Sequence, residues 1–167
     1  MVPSQIKLEE ILKDSTFAIK LSKLLEKPLL GNEYLNPKNR ETKYKSNCWG
    51  TTAWVLNIEN EILNRFKSKG YFVRSSEDRP GYIDGGIMEA FLTSGKLKRK
   101  NKKAISGIVS FWVASSLVHT GVYLGQSDDH DLIFHQSEYG GPFEITSLES
   151  QICRGYSYSK LRFHSLS

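Results

Sequence analysis

The stretch HTGVYLGQSDDHDLIFHQ, residues 119–136, decides the fold because it contains two apolar runs joined by a polar turn. This pattern predicts a β-hairpin with strands over 117–125 and 131–136. In an antiparallel hairpin, the residue numbers of directly opposed residues add to a constant, and half of this sum is the centre of the hairpin. For His119 and His135 this centre falls in the polar turn. The spacing therefore predicts that the two imidazoles are cross-strand neighbours on one face of a sheet.

The sequence on either side of this hairpin predicts an α+β fold. Apolar residues recur at helical spacing before residue 68, and β-branched and aromatic runs follow residue 107. Ser46 and Asn47 are good N-cap residues, so a second helix is expected to begin near Asn47 or Cys48. The expected helices cover 5–26 and 48–68 with a loop over 31–47, and the expected strands cover 107–113, 117–125, 131–136, 142–148 and 155–163. Helices followed by an antiparallel sheet are the α+β arrangement.

Length and composition restrict the class of protein. The chain has 167 residues, 39% of them hydrophobic, which is enough to bury a core as a single domain over 1–167. No apolar run approaches the roughly 20 residues needed to cross a bilayer, so we expect no transmembrane segment. The two cysteines, Cys48 and Cys153, are too few for a disulfide scaffold and lack the spacing of a structural zinc site.

The charge of the chain suggests a type of partner without identifying it. The formal net charge is +5, which favours anionic partners such as nucleic acid, anionic lipid or a wall polymer. The run KLKRKNKK at 96–103 is either a patch for an anionic polymer or acidic protein, or a solvated mobile loop. It has no interleaved aromatic residues, so we expect no specific nucleic-acid binding. The acidic stretch 128–131 is expected to be a solvated turn, and we expect no metal and no other cofactor.

Cys48 is the candidate nucleophile because it begins a predicted helix. The unpaired amides and the dipole of a helix N-terminus stabilise an anion, so we expect a lowered thiol pKa. The alternative for this residue alone is a small buried apolar side chain. His119 alone is better explained as a satisfied histidine, but together with His135 it would supply a base and an orienting residue. Gly121 lies on the same strand face and leaves room for a substrate or for the helix end.

Four segments together resemble the NlpC-type cysteine peptidases, a branch of the papain-like fold, with the CHAP amidases as close relatives. They are NCWG at 47–50, GIVSFW at 107–112, HTGVYLG at 119–125 and LIFHQ at 132–136. The resemblance implies a papain-like (NlpC-type) fold, in which the helix that begins at the cysteine packs on a C-terminal antiparallel sheet. A helical segment over 1–30 would then precede a catalytic core over 31–167.

The resemblance also implies an activity and residue roles. The implied triad has a nucleophile, a base and an orienting third residue, namely Cys48, His119 and His135. The family usually cleaves amide bonds in peptidoglycan stem peptides, through a thioacyl-enzyme. A tyrosine upstream of the cysteine often helps to bind the oxyanion, which makes Tyr34 and Tyr44 the candidates here, and Trp49 is expected to line the substrate cleft.

Departures from the family pattern keep two other functions open. Trp49 replaces the usual serine after the cysteine, and the basic run 96–103 lies in an unfamiliar insert. The N-terminus also lacks the features of a secretory signal. These features motivate a leaderless toxin or effector of the same fold, acting on a protein or lipid acyl group as a deamidase, protease or acyltransferase. The third hypothesis is an inactive binding module.

The expected partners and location follow from these hypotheses. The leading hypothesis requires peptidoglycan or another anionic polymer, and the effector hypothesis adds an immunity or regulatory protein. We expect a monomer that stays in the cytoplasm or leaves by a leaderless route, to the periplasm or to a target cell.

Overall fold

The structure is a computed structural model that describes residues 18–25, 46–95, 97–99, 107–127, 129–136, 143–153 and 160–166. Its helices are α1 (Ala18–Leu25), α2 (Cys48–Val55), α3 (Glu59–Phe66), α4 (Gly85–Thr93) and α5 (Leu148–Cys153), with a 3-10 helix over Lys67–Lys69. Its strands are β1 (Phe72–Val73), β2 (Tyr82–Ile83), β3 (Lys98–Arg99), β4 (Ile108–Val113), β5 (Ser116–Ser127), β6 (His130–Gln136), β7 (Phe143–Ser147) and β8 (Lys160–Ser165). None of these described helices is long and apolar enough to span a membrane.

The strands form an antiparallel sheet beside several helices, which confirms the predicted α+β class. β1 pairs with β2, and the other six strands form one sheet in the order β3-β8-β4-β5-β6-β7. Every neighbouring pair in the larger sheet is antiparallel. β3 lies within the basic run 96–103, so part of that run forms one edge of the sheet, and Lys96 and residues 100–103 lie outside the described residues.

Some predicted elements differ from the observed ones. The helix predicted over 48–68 is two helices, α2 and α3, because Asn57 between them has a left-handed φ of 58° that cannot continue a helix. Of the strand predicted over 155–163, residues 155–159 lie outside the described residues, and the described part belongs to β8, which continues to Ser165. Of the helix predicted over 5–26, the described part is α1, and it is helical.

The six-stranded sheet has two apolar faces, and α2 covers one of them. On this α2 face, Val122 belongs to a buried cluster that includes residues of α1 and α2. On the opposite face, Phe111 and Tyr123 form a cluster with the first residue of α5. Because side chains alternate along a strand, Thr120 points to the α2 face and His119 to the opposite face.

The register of β5 and β6 places the two predicted histidines on one face, but not directly opposite each other. Tyr123 pairs with Ile133 on β6. Continuing this register by two residues places His135 opposite Gly121. His119 lies two residues further along β5, so the histidines are diagonal neighbours. The predicted shared face is confirmed. The predicted direct pairing is wrong because the turn closes later than assumed, between residues 127 and 130, and a bulge then shifts the register.

Candidate functional site

The start of α2 is fixed by Asn47, one of the two predicted N-cap residues. Its Oδ1 accepts a 2.8 Å hydrogen bond from the amide of Gly50, and its Nδ2 donates a 2.7 Å hydrogen bond to the carbonyl of Ile83. Asn47 thus satisfies an amide of the first helical turn and ties α2 to β2. As predicted, Cys48 is the first residue of the helix.

The first turn of α2 is bonded to both β5 and β6. Thr52 Oγ1 donates to the Cys48 carbonyl at 2.8 Å and lies 3.0 Å from Thr120 Oγ1 on β5. Thr51 Oγ1 donates to Gln136 Oε1 on β6 at 2.7 Å. All five residues are buried. These hydroxyl contacts hold the helix end against the place where the two strands separate.

The Cys48 thiol lies at the gap between β5 and β6. The backbone amides of Thr120, Trp49 and Cys48 lie near its sulfur and favour the thiolate form. The Tyr123 amide donates a 2.9 Å hydrogen bond to the Gly107 carbonyl, just before β4. Successive amides of a strand point in turn to the strands on either side, so the Thr120 amide, three residues away, points towards β6. The thiol therefore lies beside the β5 backbone at Thr120, one residue from His119, whose side chain points to the face of the sheet opposite α2.

Burial sets the protonation of the thiol and of the His119 imidazole. It raises the pKa of Cys48 to about 12, although the hydrogen bonds from backbone amides oppose this rise. It lowers the pKa of His119 to about 3, with His135 adding to the fall and Glu144 opposing it. Both groups are therefore neutral near pH 7. The predicted lowering of the thiol pKa is wrong for this state, because desolvation outweighs the helix N-terminus.

His119 and His135 form a buried pair that continues to a carboxylate. His119 Nε2 lies 2.9 Å from His135 Nδ1, with the ring planes 88° apart. The His119 ring also packs on Phe111, with ring centroids 5.2 Å apart. His135 Nε2 lies 3.0 Å from Glu144 Oε1, at ion-pair distance but without the alignment of a hydrogen bond. The three polar side chains form a row across β5, β6 and β7.

Glu144 was not among the residues predicted for the site. It lies directly opposite His135 in the β6–β7 register. A partial signal was present in the sequence, because the glycines at 140–141 mark a turn between two predicted strands. Centring the second hairpin on these glycines would pair His135 with Thr146, two residues further along β7, so the turn predicts the strand face that carries Glu144 but not the residue itself.

Gly121 and Trp49, both predicted to bind substrate, have packing roles in the structure. A Cβ at Gly121 would lie 3.3 Å from His135 Cβ and 3.0 Å from the Phe134 carbonyl oxygen, so the missing side chain makes room for His135. Trp49 packs against the apolar cluster beside α4, and a Cβ at Gly85 would lie 2.9 Å from its ring. In this state His135 occupies the space that was expected for a substrate or for the helix end.

The remaining predicted features lie away from the thiol or outside the described residues. Tyr34 and Tyr44, the predicted oxyanion donors, fall outside those residues. Asp131 is buried and accepts a 2.7 Å hydrogen bond from Tyr123, so the prediction of a solvated turn is wrong for this residue. Within the described ranges, no group of three or more His, Cys, Asp or Glu side chains could hold a metal ion.

Comparisons with known proteins identify no family. No protein-family model, curated protein or solved structure matches the chain. The interpretation of the site therefore depends on its geometry, which combines a cysteine at a helix N-terminus, a histidine pair and a carboxylate.

Alkylation of Cys48 by iodoacetamide is expected to be slow in the native protein at neutral pH and to accelerate towards pH 12. Only the thiolate reacts, and a pKa of about 12 instead of 9.0 reduces the thiolate fraction about a thousandfold near pH 7. Mass spectrometry of the Cys48 peptide across a pH series measures the rate, with the denatured chain as the control. Rapid labelling at acid pH that is lost in His119→Ala would contradict this, since it requires a preformed thiolate–imidazolium pair.

Proposed function

We propose that the protein is a cysteine hydrolase of papain-like (NlpC-type) architecture that cleaves amide bonds through a thioacyl-enzyme. The observation that carries the proposal is the position of Cys48, which begins α2 and has its thiol near the backbone amide of Thr120, the residue that follows His119 on β5. The contact between His119 and His135 supports it further, because thiol catalysis uses a base that a third residue orients.

In the proposed reaction, Cys48 attacks a substrate carbonyl while His119 takes the thiol proton. Both groups are neutral in the resting state, so the proton moves as the sulfur–carbon bond forms. Nε2 of His119 faces His135, so Nδ1 is the atom that receives the proton. The tetrahedral intermediate then expels the amine, which takes this proton and leaves a thioester on Cys48. Water attacks the thioester, His119 accepts its proton, and that proton returns to the departing sulfur.

The backbone amides at the start of α2 are the proposed oxyanion donors. In the resting state the amides of Trp49 and Cys48 lie near the sulfur and favour its anionic form. During attack the carbonyl oxygen would become their acceptor, and the helix N-terminus favours the negative charge that develops there. Losing one donor of this kind typically costs about a hundredfold or more in rate.

Peptidoglycan stem peptides are the proposed substrate class. The support is the resemblance of the segments at 47–50 and 119–125, together with a net charge of +5, which favours an anionic polymer. An acyl group on a protein or a lipid is the alternative substrate for the same thiol chemistry, and the digestion experiment separates the two.

Digestion of purified sacculi from several wall chemotypes tests the proposed function. We expect soluble muropeptides whose new termini, determined by mass spectrometry, identify one stem-peptide bond, while heat-denatured protein releases none. Acid quenching during digestion is expected to trap an acylated Cys48 peptide. Acyl-Cys48 without wall fragments would contradict the substrate class, and the absence of both would contradict the hydrolase.

A further inference from the structure

Glu144 faces the histidine pair from the strand beyond it. It lies opposite His135 in the β6–β7 register, and its Oε1 is 3.0 Å from His135 Nε2. The carboxylate remains partly open to water, with 22% of its side chain exposed, whereas the His135 side chain is fully buried. His135 in turn contacts His119 through its other ring nitrogen at 2.9 Å. A change at Glu144 can therefore reach the proposed base through one intervening ring.

When both rings are neutral, the pair has two possible proton arrangements, and the carboxylate distinguishes them. In the first, both rings carry the proton on Nε2, so His119 donates to His135 and His135 turns an N–H towards Glu144. In the second, both rings carry the proton on Nδ1, and a bare nitrogen of His135 faces the carboxylate. Since an ionised carboxylate only accepts hydrogen bonds, it favours the first arrangement and opposes the second.

We propose that Glu144 is a positioning residue that selects the Nε2–H tautomer of His135, and through it the Nε2–H tautomer of His119. This leaves Nδ1 of His119 unprotonated, which is the form a general base requires. The catalytic meaning of the inference rests on the proposed function, whereas the tautomer selection itself does not. The carboxylate also opposes the fall in the pKa of His119, which fits a negative charge acting on this pair.

The test is to determine the histidine tautomers directly. Protein with 15N-labelled histidine, measured by long-range proton–nitrogen correlation near neutral pH, distinguishes the Nε2–H form from the Nδ1–H form. Wild type is expected to show the Nε2–H form for both His119 and His135. Glu144→Gln keeps an acceptor oxygen at the same reach and is expected to keep these tautomers.

Two variants should change the tautomers, and one should not. Glu144→Ala removes the acceptor and is expected to populate the Nδ1–H form of both rings. Glu144→Lys replaces the acceptor by a donor and is expected to reverse the tautomers. This second variant keeps the test available if the alanine variant fails to fold. The matched control is Glu149→Ala, which removes the carboxylate 3.3 Å from His130 and should leave both site histidines unchanged.

The outcomes separate this inference from the proposed function. Unchanged Nε2–H tautomers in both Glu144→Ala and Glu144→Lys would overturn the role of Glu144. If the site is an active hydrolase, Glu144→Lys should lower kcat about a hundredfold or more with little change in KM, because a wrong tautomer disables the base. Tautomers that respond as expected in a protein without hydrolytic activity would refute the proposed function and retain the positioning role.

Discussion

Cys48→Ala is expected to abolish amide hydrolysis, with kcat reduced by about four to six orders of magnitude, the range found when one member of a catalytic triad is removed. The reason is that the thioester cannot form without the sulfur, which lies near the backbone amides of Thr120 and Trp49. The measurement is the rate of fragment release from sacculi, or from another substrate that acylates Cys48.

The controls for this prediction separate chemistry from packing. Cys153→Ala removes the chain's other cysteine and should leave the rate near that of wild type. Cys48→Ser preserves the shape of the buried side chain and should fold like wild type, yet lose most of the activity. Equal thermal stability of the two Cys48 variants and wild type would show that the loss is chemical. Hydrolysis by Cys48→Ala within tenfold of the wild-type rate would refute Cys48 as the nucleophile.

The parts of the candidate site that follow local rules could be predicted from the sequence. An asparagine before an apolar helical stripe is a good N-cap, and Asn47 does cap α2. Alternation along two predicted strands puts every second residue on one face, and His119 and His135 do share a face. The α+β class follows in the same way, from the change between helical and strand periodicity along the chain.

The remaining features depend on tertiary packing, which the sequence pattern does not contain. The position at which the β5–β6 turn closes moves the histidines from direct to diagonal neighbours. The apolar stripe predicts one helix, but the left-handed backbone conformation of Asn57 divides it into two. For Cys48, the helix N-terminus was visible in the sequence, but the degree of burial was not, and burial decides the direction of its pKa shift.

Gly50→Ala is expected to destabilise the protein by about 3 kcal/mol or more, because overpacking against fixed backbone is among the costliest core changes. A Cβ at Gly50 would lie 1.9 Å from the carbonyl oxygen of Gly81 and 2.6 Å from its carbonyl carbon. Both are backbone atoms, so no side-chain rotation relieves the clash. The greater helix preference of alanine, about 1 kcal/mol, is too small to offset it.

Denaturant and thermal unfolding measure this effect, and a chain of this length should lose roughly 6–12 °C in Tm for 3 kcal/mol. Gly95→Ala is the matched control, since its Cβ would meet no atom within 4 Å and only its φ of 79° is unfavourable, at about 1 kcal/mol. A Gly50→Ala variant as stable as Gly95→Ala would contradict the close contact of α2 with the β2 segment. Because Gly50 follows Cys48 by two residues, relief of the clash would also displace the thiol, so hydrolysis should fall together with stability.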